Sequence, residues 1–132
     1  MCRNSLQAGH MGNPIRLLLV GSNGAVRRGL DLLLSAESGT EVVGQATNSQ
    51  SAVELGRQVQ PTLVLVDLES IGKQAMVEVA QIRRELAAEV AVLSSHDDDL
   101  TRERVQLAGL HFVSKQADRD ALLAVIRRPV TG

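Results

Sequence analysis

Thr62-Leu63-Val64-Leu65-Val66-Asp67-Leu68-Glu69 is the stretch on which the reading of this chain turns. Leu63 to Val66 are unbroken apolar residues, the pattern of a strand covered on both faces rather than one. Pro61 stands ahead of them, where a residue without an N–H donor can open a strand but could not sit inside a central one. The run then stops on a carboxylate, Asp67. In open α/β sheets the carboxyl ends of central parallel strands border the crevice where ligands bind. Asp67 is therefore expected in a pocket, and the question is what surrounds it.

Similar runs flank this one. Ile15 to Val20 is a first apolar run, broken by Gly21-Ser22-Asn23-Gly24. A helix from about Ala25 to Ser35 follows, with Val26, Leu30, Leu33 and Leu34 on one stripe and Asn23 as its cap. Glu41 to Ala46 reads as a short strand, and Asn48 or Ser49 caps a second helix with Ala52, Leu55, Gly56 and Val59 inward. Beyond Asp67, a polar loop through Gly72 leads to a third helix striped by Met76, Val79, Ile82 and Leu86. Val90 to Leu93 is a fourth strand, and Ser94 to Asp99 a loop and helix start whose acids suit the positive end of the dipole. That helix reaches about Ala108, where Gly109 stops it. Leu110 to Val113 is the fifth strand, and Asp118 caps a last helix through Arg127, with Pro129 expected to block its continuation. Five strands alternating with five helices, joined by right-handed crossovers, give a doubly wound α/β sheet. The expected division is a disordered leader over 1–13, one domain over 14–129 and a tail over 130–132.

Composition narrows the function. A chain of 132 residues is one domain, able to bury roughly two-thirds of its unfolded surface. A formal net charge of −1 supplies no field for nucleic acid or an acidic membrane. No apolar run has the length of a membrane span, and the amino terminus lacks a signal peptide's apolar core. Cys2 is the single cysteine, which fits a reducing cytoplasm. Phe112 is the one aromatic residue, so base-stacking platforms and aromatic cages are excluded. His96 and His111 are not at metal-ligand spacing and read as surface or satisfied histidines.

Five stretches, in order and at consistent separations, carry a resemblance: Val26-Arg27-Arg28-Gly29-Leu30, Glu41-Val42-Val43-Gly44-Gln45-Ala46, the Asp67 strand, Val92-Leu93-Ser94-Ser95-His96-Asp97-Asp98, and Phe112-Val113-Ser114-Lys115. Together they resemble a response-regulator receiver domain of the CheY-like, flavodoxin-like type, closest to the NarL/LuxR class. The resemblance implies a (βα)5 sheet of strand order 2-1-3-4-5 and a place in two-component signalling. It implies that Asp67 matches the aspartate phosphorylated by a histidine kinase, and that Ser94 matches the hydroxyl residue that bonds the phosphoryl oxygen. Lys115 matches the lysine that pairs with acid or phosphate, Phe112 the aromatic that swings inward on activation, and the backbone carbonyl of Glu69 a magnesium ligand.

The departures from the pattern matter more. Receivers carry two adjacent acids after the first strand to hold Mg²⁺; Gly21 and Ser22 stand there. Neither offers the anionic oxygen that Mg²⁺ demands in octahedral order. The loop proline and glycine of the pattern are replaced by Ile71 and Ala75. The expected pocket therefore holds one carboxylate and one lysine, near neutrality, where relatives hold three carboxylates, a lysine and a divalent ion. Phosphoryl transfer depends on positive charge around the moving oxygens. Metal assistance is worth several kcal/mol, so its loss slows the reaction by roughly a thousandfold or more.

The expectation is a non-enzymatic, phosphorylation-independent interaction module without a cofactor. It would dock a protein partner or a second copy through helix 4, strand 5 and helix 5. Few residues follow the last helix, so no helix-turn-helix output is expected within this chain. One alternative is a working phospho-acceptor at Asp67 served by a histidine kinase, with Glu69, Asp97 or Asp98 as substitute Mg²⁺ ligands. A lesser one is an anion or nucleotide sensor at the Gly21–Gly24 loop, because helix amino termini bind anions; no Walker lysine follows it. The plainer readings stand beside these: Asp67 as a strand-end acid satisfied by Lys115, Ser94 as a turn former, Phe112 as core.

Overall fold

The structure is a computed structural model that describes residues 14–70 and 74–131. Five strands, β1 (Ile15–Val20), β2 (Thr40–Ala46), β3 (Leu63–Asp67), β4 (Glu89–Ser94) and β5 (His111–Ser114), alternate with five helices. These are α1 (Gly24–Ser35), α2 (Ser49–Val59), α3 (Ala75–Leu86), α4 (Asp99–Leu107) and α5 (Arg119–Thr131). All strand pairs are parallel and the order is β2-β1-β3-β4-β5. This is the flavodoxin-like arrangement that the resemblance implies.

Side chains alternate across a strand, and β3 shows why its apolar run has to be continuous. Val64 and Val66 join Leu18, Val20, Val90, Val92 and Phe112 on one face, under Ala52 and Val53 of α2, Val79 and Ile82 of α3 and Val105 of α4. Leu63 and Leu65 join Leu17, Leu19, Ala91, Leu93 and Val113 on the other, under Leu34 of α1 and Leu122, Leu123 and Ile126 of α5. Every residue of β3 is buried, Asp67 included.

The helix starts follow the sequence cues. Asn23 Oδ1 accepts from the amides of Ala25 and Val26, Asn48 closes a capping box with Ser51, and Asp118 Oδ1 accepts from Ala121. Gly39 and Gly109 take left-handed backbone at the ends of their units, which glycine adopts without steric cost. Gly56 lets α2 lie close on α3: a Cβ there would stand 2.5 Å from Leu86 Cδ1.

Two expectations change. α5 does not stop before Pro129 but runs to Thr131, so the expected block at the proline does not hold. Val53 is buried on α2 although the stripe of Ala52, Leu55, Gly56 and Val59 omits it. The polar loop expected beyond Asp67 opens with a single 3₁₀ turn, Leu68–Ser70. The leader over 1–13, with Cys2, and the loop residues Ile71 and Gly72 lie outside the described residues.

Candidate functional site

The register of the sheet assembles the site. Val20 pairs with both Ala46 and Val66, Asp67 with Leu93, and Ser94 with Ser114. Gly21, Asp67, Ser94 and Lys115 therefore follow one another along the carboxyl-end rim. The Lys115 amide donates to the Ser94 carbonyl at 2.8 Å, which fixes the lysine at the end of β4 rather than in solvent. Its Nζ meets Asp67 Oδ1 at 2.7 Å. The sequence-expected pairing of Asp67 with Lys115 is present.

Glu69 enters by its side chain. The 3₁₀ turn after β3 folds it back over the strand ends, where Oε1 lies 3.1 Å from Lys115 Nζ. Ser94 Oγ donates to Glu69 Oε2 at 2.6 Å. The Ser95 amide and hydroxyl donate to Oε1 at 2.9 and 3.2 Å. His96 Nδ1 stands 3.5 Å from Oε2. Ser94 Oγ also accepts the His96 amide at 3.0 Å, so it is held from two sides.

Ionisation follows from this geometry. Partial burial pushes the Glu69 carboxyl up, but the hydrogen bonds of Ser94, Ser95 and Lys115 and the lysine's charge outweigh it and bring it down to about 2. Partial burial depresses Lys115, and its bonds to Asp67 and Glu69 with their charges raise it above the ordinary lysine value. Both groups are thus charged near neutrality. The expected count of one carboxylate against one lysine is corrected: Asp67 and Glu69 share Lys115, so the pocket carries −1. A turn placed immediately after the strand brings in an acid that an extended chain would have left outside.

On the β1 side of the rim, hydrogen bonds run through main-chain groups and Arg27. Gly21 is buried, its amide donates to the Ala46 carbonyl at 2.9 Å and its carbonyl accepts Arg27 Nε at 2.7 Å. Arg27 Nη1 continues to Gln45 Oε1 at 3.1 Å. The first amides of α1 are already taken by Asn23. Of the acids beyond β4, Asp97 accepts from Ser114 Oγ at 3.0 Å, and Asp98 caps α4 through Thr101, which holds its carboxyl below the usual range. His111 pairs with Glu89 at 2.8 Å. Phe112 is buried, with the Arg102 guanidinium 4.6 Å from its ring centre.

These residues do not fit a magnesium ion. Gly21 brings no side-chain ligand, its carbonyl accepts from Arg27, and Ser22 offers only a neutral hydroxyl, whereas Mg²⁺ is held chiefly by carboxylates and water. The carboxylates nearest the site are engaged by Lys115. Among the described residues, no group of three or more His, Cys, Asp or Glu side chains is placed to hold a metal.

Sequence reasoning placed the Glu69 side chain in the pocket only as a substitute metal ligand of the alternative reading, not as a partner of Lys115, Ser94 and Ser95. A signal was present: an acid two residues beyond a strand-ending acid, opposite the adjacent hydroxyls Ser94 and Ser95 at the end of the neighbouring strand.

Known proteins resemble the chain along nearly its whole described length. A family model for the response regulator receiver domain matches residues 17–127. The transcriptional regulatory protein LiaR of Bacillus subtilis is 31% identical over 120 residues, covering 89% of this chain and 57% of LiaR. The chain spans about half the length of the curated relatives it matches. The crystal structure of a LuxR-family two-component response regulator from Aurantimonas superposes with a TM-score of 0.81 at 26% identity, over 91% of this chain and 87% of that one. The signal receiver domain of the NarL regulator from Mycobacterium tuberculosis gives 0.79 at 24% identity, over 92% and 99%. Among the described residues, no helix is long and apolar enough to cross a membrane.

Proposed function

The chain belongs to the response regulator receiver domain family, and from that premise we propose that this receiver of a two-component response regulator works as a phosphorylation-independent interaction module. The observation that carries the reading is the replacement of the rim's acid pair by Gly21 and Ser22, beside a buried Asp67 whose counter-ion is Lys115. Asp67 and Glu69 already share the Lys115 ammonium, and without a divalent ion that same charge would also have to neutralise the oxygens of an incoming phosphoryl group. The proposal gives the chain no enzymatic step, no cofactor and a cytoplasmic setting.

The partner is a protein or a second copy, docked on α4, β5 and α5. Leu100 and Leu107 lie two turns apart on α4, on one face, and are 63% and 80% exposed. Large apolar side chains in that position support a protein contact.

Amide spectra test the proposal. Millimolar Mg²⁺ with beryllofluoride leaves the resonances of Asp67 and Lys115 in place, and acetyl phosphate leaves the elution volume unchanged on size exclusion. Shifts confined to those residues favour the other reading, a working phospho-acceptor fed by a histidine kinase; the retained grouping of Asp67, Ser94 and Lys115 supports it.

A further inference from the structure

Four donors converge on one side chain at this rim. The hydroxyl of Ser94, the amide and hydroxyl of Ser95 and the ammonium of Lys115 all point at the Glu69 carboxylate, at 2.6, 2.9, 3.2 and 3.1 Å. A hydroxyl, a main-chain amide and an ammonium aimed at one place form a seat for an oxyanion, because charge-assisted bonds of this kind are the strong ones. Ser94 is fully buried and the Glu69 side chain is 28% exposed, so the seat is part of the folded interior edge and not a surface contact.

We propose that Glu69 is the resident anion of this seat, an internal carboxylate that occupies the donors a tetrahedral oxyanion would use and holds Lys115 and the start of the β4–α4 loop in the anion-bound arrangement at all times. This deepens the reading above and rests on it in one respect: a site filled from within needs no phosphoryl group to order it. A tethered ligand competes at a high effective concentration set by its short connection. An outside anion must displace Glu69 and also accept the second carboxylate, Asp67, which shares the same lysine at 2.7 Å. The 3₁₀ turn at Leu68–Ser70 is what makes the reach possible.

Hydrogen exchange on the full chain tests this, with inorganic phosphate as the probe. In the unaltered protein the Ser95 amide is protected and millimolar phosphate changes nothing. In Glu69→Ala that protection falls by about tenfold or more, the equivalent of one charge-assisted hydrogen bond, and phosphate restores it while moving the Lys115 resonance. Glu69→Gln keeps the side chain's size and separates charge from packing: it loses protection in part, with the β2 resonances unmoved as evidence of an intact fold. Equal Ser95 exchange in all three proteins overturns the proposal. So does a response to phosphate in the unaltered protein that equals the variant's, or a failure of phosphate to restore protection in Glu69→Ala. The reading of phosphorylation independence fails on a different observation, a covalent phosphoryl group appearing on Asp67 of the unaltered chain.

Discussion

The two halves of the rim solve the same problem in opposite ways. At the ends of β3, β4 and β5, Asp67 and Glu69 are gathered around Lys115 with two serines beside them. At the end of β1, Gly21 and Asn23 satisfy main-chain groups locally, and Arg27 donates to the Gly21 carbonyl and to Gln45. One half is a coupled charge network and the other is self-contained. The lesson is that one lysine, with the serines beside it, can hold two carboxylates at this rim while the β1 end is tied down through main-chain groups.

Breaking the charged half has the largest expected effect. Lys115→Ala leaves the buried Asp67 and its neighbour Glu69 without a cation, and removing one partner of a buried pair costs about 3 kcal/mol or more. Urea unfolding near neutral pH measures it, and Lys115→Arg recovers part of the loss. Rebuilding the other half comes next. Gly21→Asp with Ser22→Asp adds like charge beside Asp67 and lowers stability in metal-free buffer. Saturating Mg²⁺ then returns about 2 kcal/mol by mass action, read as a Mg²⁺-dependent rise in thermal midpoint that the unaltered chain lacks.

Smaller changes sharpen the contrast. Asn23→Ala removes the α1 cap and costs about 1 kcal/mol, with no shift at Ser95 or Lys115 if the halves are independent. The pH dependence of Glu69 is subtler. Its folded value of about 2 lies below the unfolded 4.5, so the stabilisation it brings is complete above about 4.5 and is lost as pH falls toward 2. The stability gap between the unaltered protein and Glu69→Gln therefore narrows on acidification across that window. Chemical denaturation at several pH values checks it.

The sheet was legible because buried parallel strands write themselves as apolar runs, and glycine and asparagine mark most of the joints between them. The placement of Asp67 at a strand end was read from the apolar run, whereas the places of Ser94 and Lys115 at the rim came from the resemblance to receivers. Glu69 was read as a substitute metal ligand at most, and its bonds to Lys115, Ser94 and Ser95 were not legible. Leu68 prolongs the apolar run of β3 past Asp67, and no glycine or proline lies between Asp67 and Ser70 to announce a 3₁₀ turn. α5 also continues past Pro129, although a proline there removes one helix donor.

The central claim is that Asp67 does not serve as a phosphoryl acceptor under ordinary conditions. Intact-mass measurement of the chain with acetyl phosphate and Mg²⁺, beside Asp67→Asn, tests it most directly. The account predicts the same unmodified mass for both proteins. A phosphoryl adduct that forms on the unaltered chain and is missing from Asp67→Asn would contradict it.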